Sequence, residues 1–389
     1  MRYIPTAFTS YEATIHCVGG AHSAFKKQEN FRKIPGQANH SFIESLLLET
    51  ELIQSLNGLV LIGTDAEMRE IAEAEIDLEM KLKLLPIKNP EAFKILDTKV
   101  GVQSVVQQLK LSAPRALVIN NKTDLEKIEG EIALPYFYKG DSGGGGAFIH
   151  KVAANEPPPK VSELSYPFLV QEEITGSEIS IDAFFVNGIL KAYVYSDQIK
   201  SIRLYGPSYN RRIARPATED FLIALQSMGE FTGVYGLVNT TFIFNPELGK
   251  HLLLEFDPRP TAWHFLAYFL GINLGETLTT SHIGAVQFPS THNFRVTLME
   301  RFLMYISSVN NPWQLIRAFK DLYSSNVIIM RGNEINTTEA LKILIVHAPR
   351  YVVFAFTRKL FRLLPSFITT PIKKRGITNL IARRMIGNV

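Results

Sequence analysis

Glu255 and Asp257 stand two residues apart at the end of the run 251–260, HLLLEFDPRP. Side chains at i and i+2 of an extended segment share one face, and two carboxylates on one face can hold a divalent cation. The preceding segment 235–244, YGLVNTTFIF, is also strand-like, and the residues between them, Asn245, Pro246, Glu247, Leu248 and Gly249, are turn formers. The two segments predict a hairpin. With the turn centred on Glu247, Asn239 lies opposite Glu255 and on the same side as Asp257, so three oxygen-bearing side chains converge. Magnesium suits such a set, because it takes oxygen ligands, keeps several waters and is usually held by one or two carboxylates plus substrate phosphates. An edge hairpin with a solvated polar face is the alternative that these three residues alone leave open.

Two further stretches carry chemistry. Residues 136–152 read YFYKGDSGGGGAFIHKV: a strand delivers Lys139 to its end, and the loop that follows holds Gly140 and the run Gly143, Gly144, Gly145 and Gly146. Without β-carbons such a loop can bring backbone amides close to phosphate oxygens, while the lysine supplies a point charge. It is not a Walker A loop, since no GK[ST] follows and the chain continues into a strand. A flexible glycine-rich connection is the alternative. Residues 168–178, FLVQEEITGSE, end one strand at Gln171 and Glu172, pass through Glu173 and Ile174, turn at Gly176 and begin the next strand at Glu178. A crossing of this kind can present backbone groups to a planar base edge, and Glu178 can accept from sugar hydroxyls; solvated acids beside a turn are the plainer reading.

The elements that must position these residues follow from the whole chain. At 389 residues, 46% hydrophobic and 20% charged, it has the composition of a globular protein with room for two or three domains. The one cysteine, Cys17, excludes an intramolecular disulfide framework and a multi-cysteine zinc site, and it agrees with a reducing compartment. The N-terminus does not read as a secretory signal, and no apolar run is long enough to span a bilayer, so a soluble cytoplasmic protein is expected. The net charge of +4 hides an asymmetry: from Ser290 onward there are 15 Lys and Arg against 4 Asp and Glu, a net +11, which leaves −7 for the residues before it.

In residues 1–95, strand-like stretches at 13–20 and 57–64 and a charged helical pattern at 65–80 predict an open α/β lobe. ATIHCVGG at 13–20 lacks GxGxxG spacing, and no dinucleotide site is expected there. Residues 90–109 predict a helix interrupted at Gly101. Short strands then follow at 116–120, 132–139, 147–152, 168–173, 178–186 and 189–195, a helix at 220–229 and the hairpin. Closely spaced strands joined by Gly or Pro turns predict antiparallel sheets, hence two small α+β lobes with a cleft between them.

Taken in order, a lysine in a helix (Lys99), a strand with a lysine and glycine lid (Lys139 to Gly146), the QEEITGSE crossing and a hairpin closing on LLLEFDPRP resemble the ATP-grasp superfamily. The resemblance covers roughly residues 13–274. It implies a domain order of an N-terminal α/β domain (1–95), an ATP-grasp domain (96–285) whose two α+β lobes clasp ATP, and a basic helical C-terminal region (286–389). It further implies that Lys99 and Lys139 hold the ATP phosphates, with Gly143, Gly144, Gly145 and Gly146 as the lid. Glu172, Glu173 and Ile174 correspond to the hinge facing adenine, and Glu178 to the ribose ligand. Glu255 and Asp257 correspond to magnesium ligands, with manganese as an alternative metal, and Arg259 to the arginine that steadies transferred phosphate or a substrate oxyanion. Asn239 stands where a third, often acidic, ligand is found.

The family tends to follow its arginine with small residues, whereas this chain has Pro260, Thr261, Ala262, Trp263 and His264, which fill the expected acceptor pocket with bulk. The function implied is an ATP- and magnesium-dependent ligase that activates a carboxylate as an acylphosphate for attack by an amine or other nucleophile. A nucleotide-binding scaffold or sensor, and a phosphotransferase that stops at the phosphorylated acceptor, are the rivals.

Beyond Ser290 the nucleotide motifs stop. Residues 295–307 and 312–323 are helical in pattern, and 338–364 are apolar and basic with a break at Pro349. Basic residues interleaved with Phe, Leu and Val suit a helix lying on an anionic bilayer, and a helical appendage with a basic outer face is the alternative. No nucleic-acid partner is expected, because no recognition helix or RNA-binding aromatic motif accompanies the charge.

Overall fold

The computed structural model describes residues 15–18, 31–34, 42–47, 60–146, 148–154, 165–273, 277, 294–309, 312–330, 333–335 and 340. These divide into two compact units, one drawn from Met1–Gln198 and Arg212–Asn293, the other from Ile199–Arg211 and Phe294–Val389.

The first unit opens with parallel strands β1 (Ile15–Val18) and β2 (Phe31–Ile34), then α1 (Phe42–Leu47). The single helix expected at 65–80 is two, α2 (Asp65–Glu73) and α3 (Leu78–Leu84). The break has a local cause: Ala74 and Asp77 are extended, and the Asp77 carboxylate accepts from the Met80 amide, capping a new helix. Thr64 caps α2 in the same way through the Glu67 amide. Val60 to Thr64, the described part of the strand expected at 57–64, is not in a strand.

Residues 90–109 also break, but not where a glycine was expected to break them. A 3-10 turn (Pro90–Ile95) ends at Leu96, Asp97 takes φ +57°, and α4 (Lys99–Gln108) begins under the Thr98 cap. Gly101 lies inside α4. A β-carbon there would sit 1.7 Å from the Lys94 carbonyl oxygen, so glycine is required by close approach rather than by a turn.

Two antiparallel sheets follow. In the smaller, strands β3 (Ala116–Ile119), β6 (Phe168–Glu172), β4 (Tyr136–Gly140) and β5 (Ile149–Val152) are neighbours in that order; α5 (Ile128–Glu131) lies between β3 and β4 in the chain. This lobe has its own core of Ile119, Ile128, Ile132, Tyr138, Val152, Phe168 and Val170. In the larger, the order is β11 (Lys250–Asp257), β10 (Gly236–Asn245), β7 (Ser177–Val186) and β8 (Ile189–Ser201). Strand bounds differ from expectation by a few residues, chiefly at 132–135 and Phe148, which are not in strands, and at β8, which runs on to Ser201.

Helix α6 (Phe221–Thr232) buries Phe221, Ala224, Leu225 and Met228, a helical stripe, in a core shared with Ile179, Ile181, Ala183, Val238, Phe242 and Phe256. Each fully buried Phe or Leu there contributes about 1.5–3 kcal/mol. Gly233 at φ +60° ends the helix, its amide donating to the Gly229 carbonyl. The helix start is pinned by polar bonds: His251 Nδ1 meets Asp220 Oδ1 at 2.6 Å and Nε2 meets the Tyr195 hydroxyl at 2.9 Å, with the imidazole fully buried. Burial pushes the Tyr195 phenol pKa upward, so it stays a donor.

In the second unit, β9 (Ser208–Ile213, of which Arg212 and Ile213 belong to the first unit), β12 (Phe294–Leu298), β13 (Val327–Met330) and β14 (Asn333–Ile335) are neighbours in that order. Helices α7 (Met299–Ser308) and α8 (Pro312–Tyr323) supply Met299, Phe302, Leu303, Ala318 and Leu322 to a core with Tyr209 and Ile328. The helix expected from 295 starts later because Val296, Thr297 and Leu298 pair in parallel with β13 and are buried. The basic stretch beyond Ala340 lies outside the described residues. Among the described residues no helix is long and apolar enough to cross a membrane.

Candidate functional site

The larger sheet has two unlike faces. Cross-strand pairing sets Asn239 opposite both Asp182 and Asp257, and Thr241 opposite both Ser180 and Glu255. Because side chains alternate, Glu178, Ser180, Asp182, Asn239, Thr241, Glu255 and Asp257 share one face, while Ile179, Ile181, Ala183, Val238 and Phe242 face the core. The register differs from the sequence expectation: Asn239 faces Asp257, and it is Thr241 that faces Glu255. Two causes add. Asn245 pairs with Lys250, so the turn centre lies beyond Glu247, and a bulge after Thr241 admits one extra residue. A total slip of two residues keeps every side chain on its expected face.

Asp257 and Glu255 are like charges on this face. Burial, with Glu255 adding to it, pushes the Asp257 carboxyl up to about 7 against the opposing pull of Arg259. Arg259 follows the strand and donates from Nε to Asp65 Oδ1 (2.5 Å) and from Nη2 to Asp257 Oδ2 (3.0 Å). Burial opposes its charge, but the two carboxylates outweigh burial and hold its pKa above the usual guanidinium value. Asp65 is the first residue of α2 and went unnoticed in the sequence; its only signal is the capping pattern GTDAE.

The smaller sheet brings the lysines. β4 carries Lys139, whose buried Nζ donates to Gln171 Oε1 at 2.5 Å. Burial lowers its pKa; Glu255 and Glu178 pull it up and Lys99 pushes it down, so three charges act on this ammonium. Lys99, at the first position of α4, donates from Nζ to the Gly143 carbonyl (2.9 Å), and its amide donates to the Asp141 carbonyl (2.9 Å). The Val100 amide donates to Asp141 Oδ1 (2.9 Å) and the Gly143 amide to Asp97 Oδ1 (3.4 Å). The glycine loop is thus laced to the start of α4. Gly143, Gly145 and Gly146 take φ of +98°, +66° and +74°, conformations that ordinary side chains rarely adopt, and Phe148 beside them is exposed.

The crossing 172–178 connects the two sheets. Glu172 Oε1 accepts from the Arg115 amide (2.6 Å), and Glu173 pairs with Lys151 (2.6 Å), so both carboxylates are engaged with neighbouring strands. Glu178, exposed, accepts from Gln198 Nε2 (2.7 Å). Ile174 is half-buried between them. Of the residues after Arg259, Trp263 and Phe265 are buried and stacked, and His264 is buried with Nδ1 accepting from the Thr261 amide (2.9 Å). Arg212 pairs with Asp197, and Arg211 is buried and donates to Ser208.

The donor set can be tested against the expected metal. Among the described residues no group of three or more His, Cys, Asp or Glu side chains converges as a metal cage. What β10 and β11 offer on the polar face is the Glu255 and Asp257 carboxylates, the Asn239 amide and the Thr241 hydroxyl, an oxygen set that fits magnesium completed by phosphates and water.

No protein-family model and no curated protein sequence matches the chain. Solved structures do. Biotin carboxylase from Campylobacter jejuni, solved as a β-γ-ATP complex, superposes at a TM-score of 0.50 with 15% identity over 65% of this chain and 61% of that one. The chain has an ATP-grasp fold. N5-carboxyaminoimidazole synthetase from Staphylococcus aureus, complexed with ADP, matches at 0.47 and 12% identity over 67% of each chain. The biotin carboxylase domain of the Hydrogenobacter thermophilus 2-oxoglutarate carboxylase matches at 0.40 and 16% identity over 52% of this chain. The chain spans about half, 48%, of the length of that last structure. In the ATP-grasp fold the two antiparallel sheets described above are the two lobes, with the glycine loop on the smaller sheet and the carboxylates on the larger.

Proposed function

We propose that the chain is an ATP- and magnesium-dependent ligase that activates a carboxylate as an acylphosphate and passes it to an amine or other nucleophile, with carbon–nitrogen bond formation as the reaction. The observation that carries this reading is the electrostatic grouping of Lys139 and Lys99 with Glu255 and Glu178 beneath a glycine loop. A pure scaffold has no use for a buried lysine set among these charges. The fold shared with a biotin carboxylase solved as a β-γ-ATP complex supports ATP as the nucleotide.

In this reading residues 96–285 form the ATP-grasp domain, after an N-terminal domain at 1–95 and before a C-terminal region at 286–389. Glu255, Asp257 and Asn239 would hold magnesium, which supplies charge neutralisation at the phosphates. Lys139 and Lys99 hold phosphate oxygens, the second after its ammonium leaves the Gly143 carbonyl. Amides of Gly143, Gly144, Gly145 and Gly146 cover the phosphates. The backbone carbonyls of Glu172 and Glu173, whose amides and side chains are engaged elsewhere, and the backbone of Ile174 face the adenine edge, and Glu178 takes the ribose hydroxyls. Arg259 steadies the oxyanion of the acceptor. Positioning and charge stabilisation do the work, and the phosphoryl-transfer step needs no cysteine or other covalent nucleophile.

Release of ADP by the purified chain with magnesium and ATP, measured against pools of amino acids and other small carboxylates, tests the reading. Acceptor-dependent release that vanishes in Glu255→Gln is expected. Release that needs no nucleophile and yields a stable phosphorylated acceptor would instead make the chain a phosphotransferase.

A further inference from the structure

Asp182 is a carboxylate that the proposed mechanism does not use, yet it is buried on the same face as the proposed metal ligands. Its Oδ1 lies 3.0 Å from Asn239 Nδ2 and 2.9 Å from Thr261 Oγ1. The direction of these bonds can be read along the network. The Trp263 amide donates to Thr261 Oγ1 at 3.1 Å; of the two acceptors near that hydroxyl, Asp182 Oδ1 at 2.9 Å and His264 Nδ1 at 3.2 Å, the imidazole nitrogen already accepts from the Thr261 amide, so the hydroxyl proton goes to Asp182. Asp182 Oδ1 is an accepting carboxylate oxygen, and only the NH2 end of an amide can face an acceptor at 3.0 Å. Ser180 Oγ, 2.9 Å from the same Nδ2, takes the second N–H. With both N–H groups of Asn239 engaged on β7, the oxygen is the end of the amide left to meet a cation, and Asp257 of β11 is the direct cross-strand neighbour of Asn239.

We infer that Asp182 is a positioning residue for the metal site: by accepting the Asn239 N–H it fixes which end of that amide meets the cation, so that a neutral oxygen joins Glu255 and Asp257. The inference rests on the proposed Mg–ATP reading. Outer-shell partners that orient a ligand in this way commonly set metal affinity by about 10- to 100-fold. The same carboxylate also holds the Thr261 hydroxyl, two residues beyond Arg259, so one buried acid ties the metal strand to the loop that follows it.

The test uses Mn2+ as probe, its free fraction followed by electron paramagnetic resonance during titration of the full chain in the presence of ATP. Asp182→Asn replaces the acceptor with an amide of the same shape, which frees Asn239 to present nitrogen, and a loss of about 10- to 100-fold in Mn2+ affinity is expected. The exchange variant D182N/N239D restores most of it, because a carboxylate at 239 offers oxygen at either end and the new amide at 182 donates to it. Thermal unfolding midpoints of both variants establish that the fold is kept. Wild-type Mn2+ affinity in Asp182→Asn overturns the inference, as does an exchange variant as weak as the single one. Absence of ATP-dependent Mn2+ binding by the wild type overturns the underlying metal–nucleotide reading instead, so the two failures are distinguishable.

Discussion

Lys139→Met lowers acceptor-dependent ADP release by about 10²–10³-fold, the scale on which one preorganised charge-stabilising group counts in a water-poor site. The methionine keeps the length of the stem and removes the charge, leaving Lys99 alone opposite Glu255 and Glu178. The same substitution changes the pH dependence of stability, with a definite sign. Burial lowers the Lys139 pKa in the folded chain, so between that value and the ordinary 10.5 the unfolded chain binds more protons. Stability therefore rises with pH through that window, and below it the folded chain carries the standing cost of a buried charge. The variant loses this rise. Denaturation midpoints collected from neutral pH to pH 10.5 on both proteins measure it, and parallel curves would mean that Lys139 is not the group responsible.

Arg259→Met costs both folding free energy and turnover. Arg259 bridges Asp65 of α2 and Asp257 of β11, and the three side chains are 20%, 19% and 27% exposed. Fully buried pairs lose about 3–5 kcal/mol when one partner is removed; discounted for this residual solvent access, a loss of about 2 kcal/mol is expected. The substitution leaves two carboxylates facing each other with nothing between them. Arg259→Lys recovers only part of the loss, since a point-like ammonium cannot reach two carboxylates in the forked geometry of a guanidinium. Urea denaturation without metal isolates the structural part, and ADP release in magnesium gives the catalytic part. Equal stability of all three proteins would remove the bridge from the account.

What was legible in the sequence was the set of short-range patterns. Alternation in β10 and β11 assigned Asn239, Glu255 and Asp257 to one face, and that assignment survives a two-residue slip because strand periodicity is two. The pairing itself was not legible, because a bulge after Thr241 leaves no mark in composition; this is why Thr241 was missed as the residue opposite Glu255. Gly101 was misread for a related reason. A glycine in a helical pattern looks like a break, and only the approach of the Lys94 carbonyl reveals that it is a contact. Asp65 and Asp182 stayed hidden because their roles depend on partners 194 and 57 residues away. Glu172 and Glu173 were correctly placed at the end of β6, but their side chains are engaged with Arg115 and Lys151, which no local pattern announces.

If one polar sheet face opposed by Lys139 and Lys99 is a magnesium–nucleotide site, calorimetric titration of ATP into the full chain, with and without magnesium, for the wild type and Glu255→Gln, reads it out. Saturable binding that tightens at least about tenfold with magnesium in the wild type and gains little from it in Glu255→Gln is expected. Binding of equal strength with and without magnesium in both proteins, or no binding at all, would contradict it.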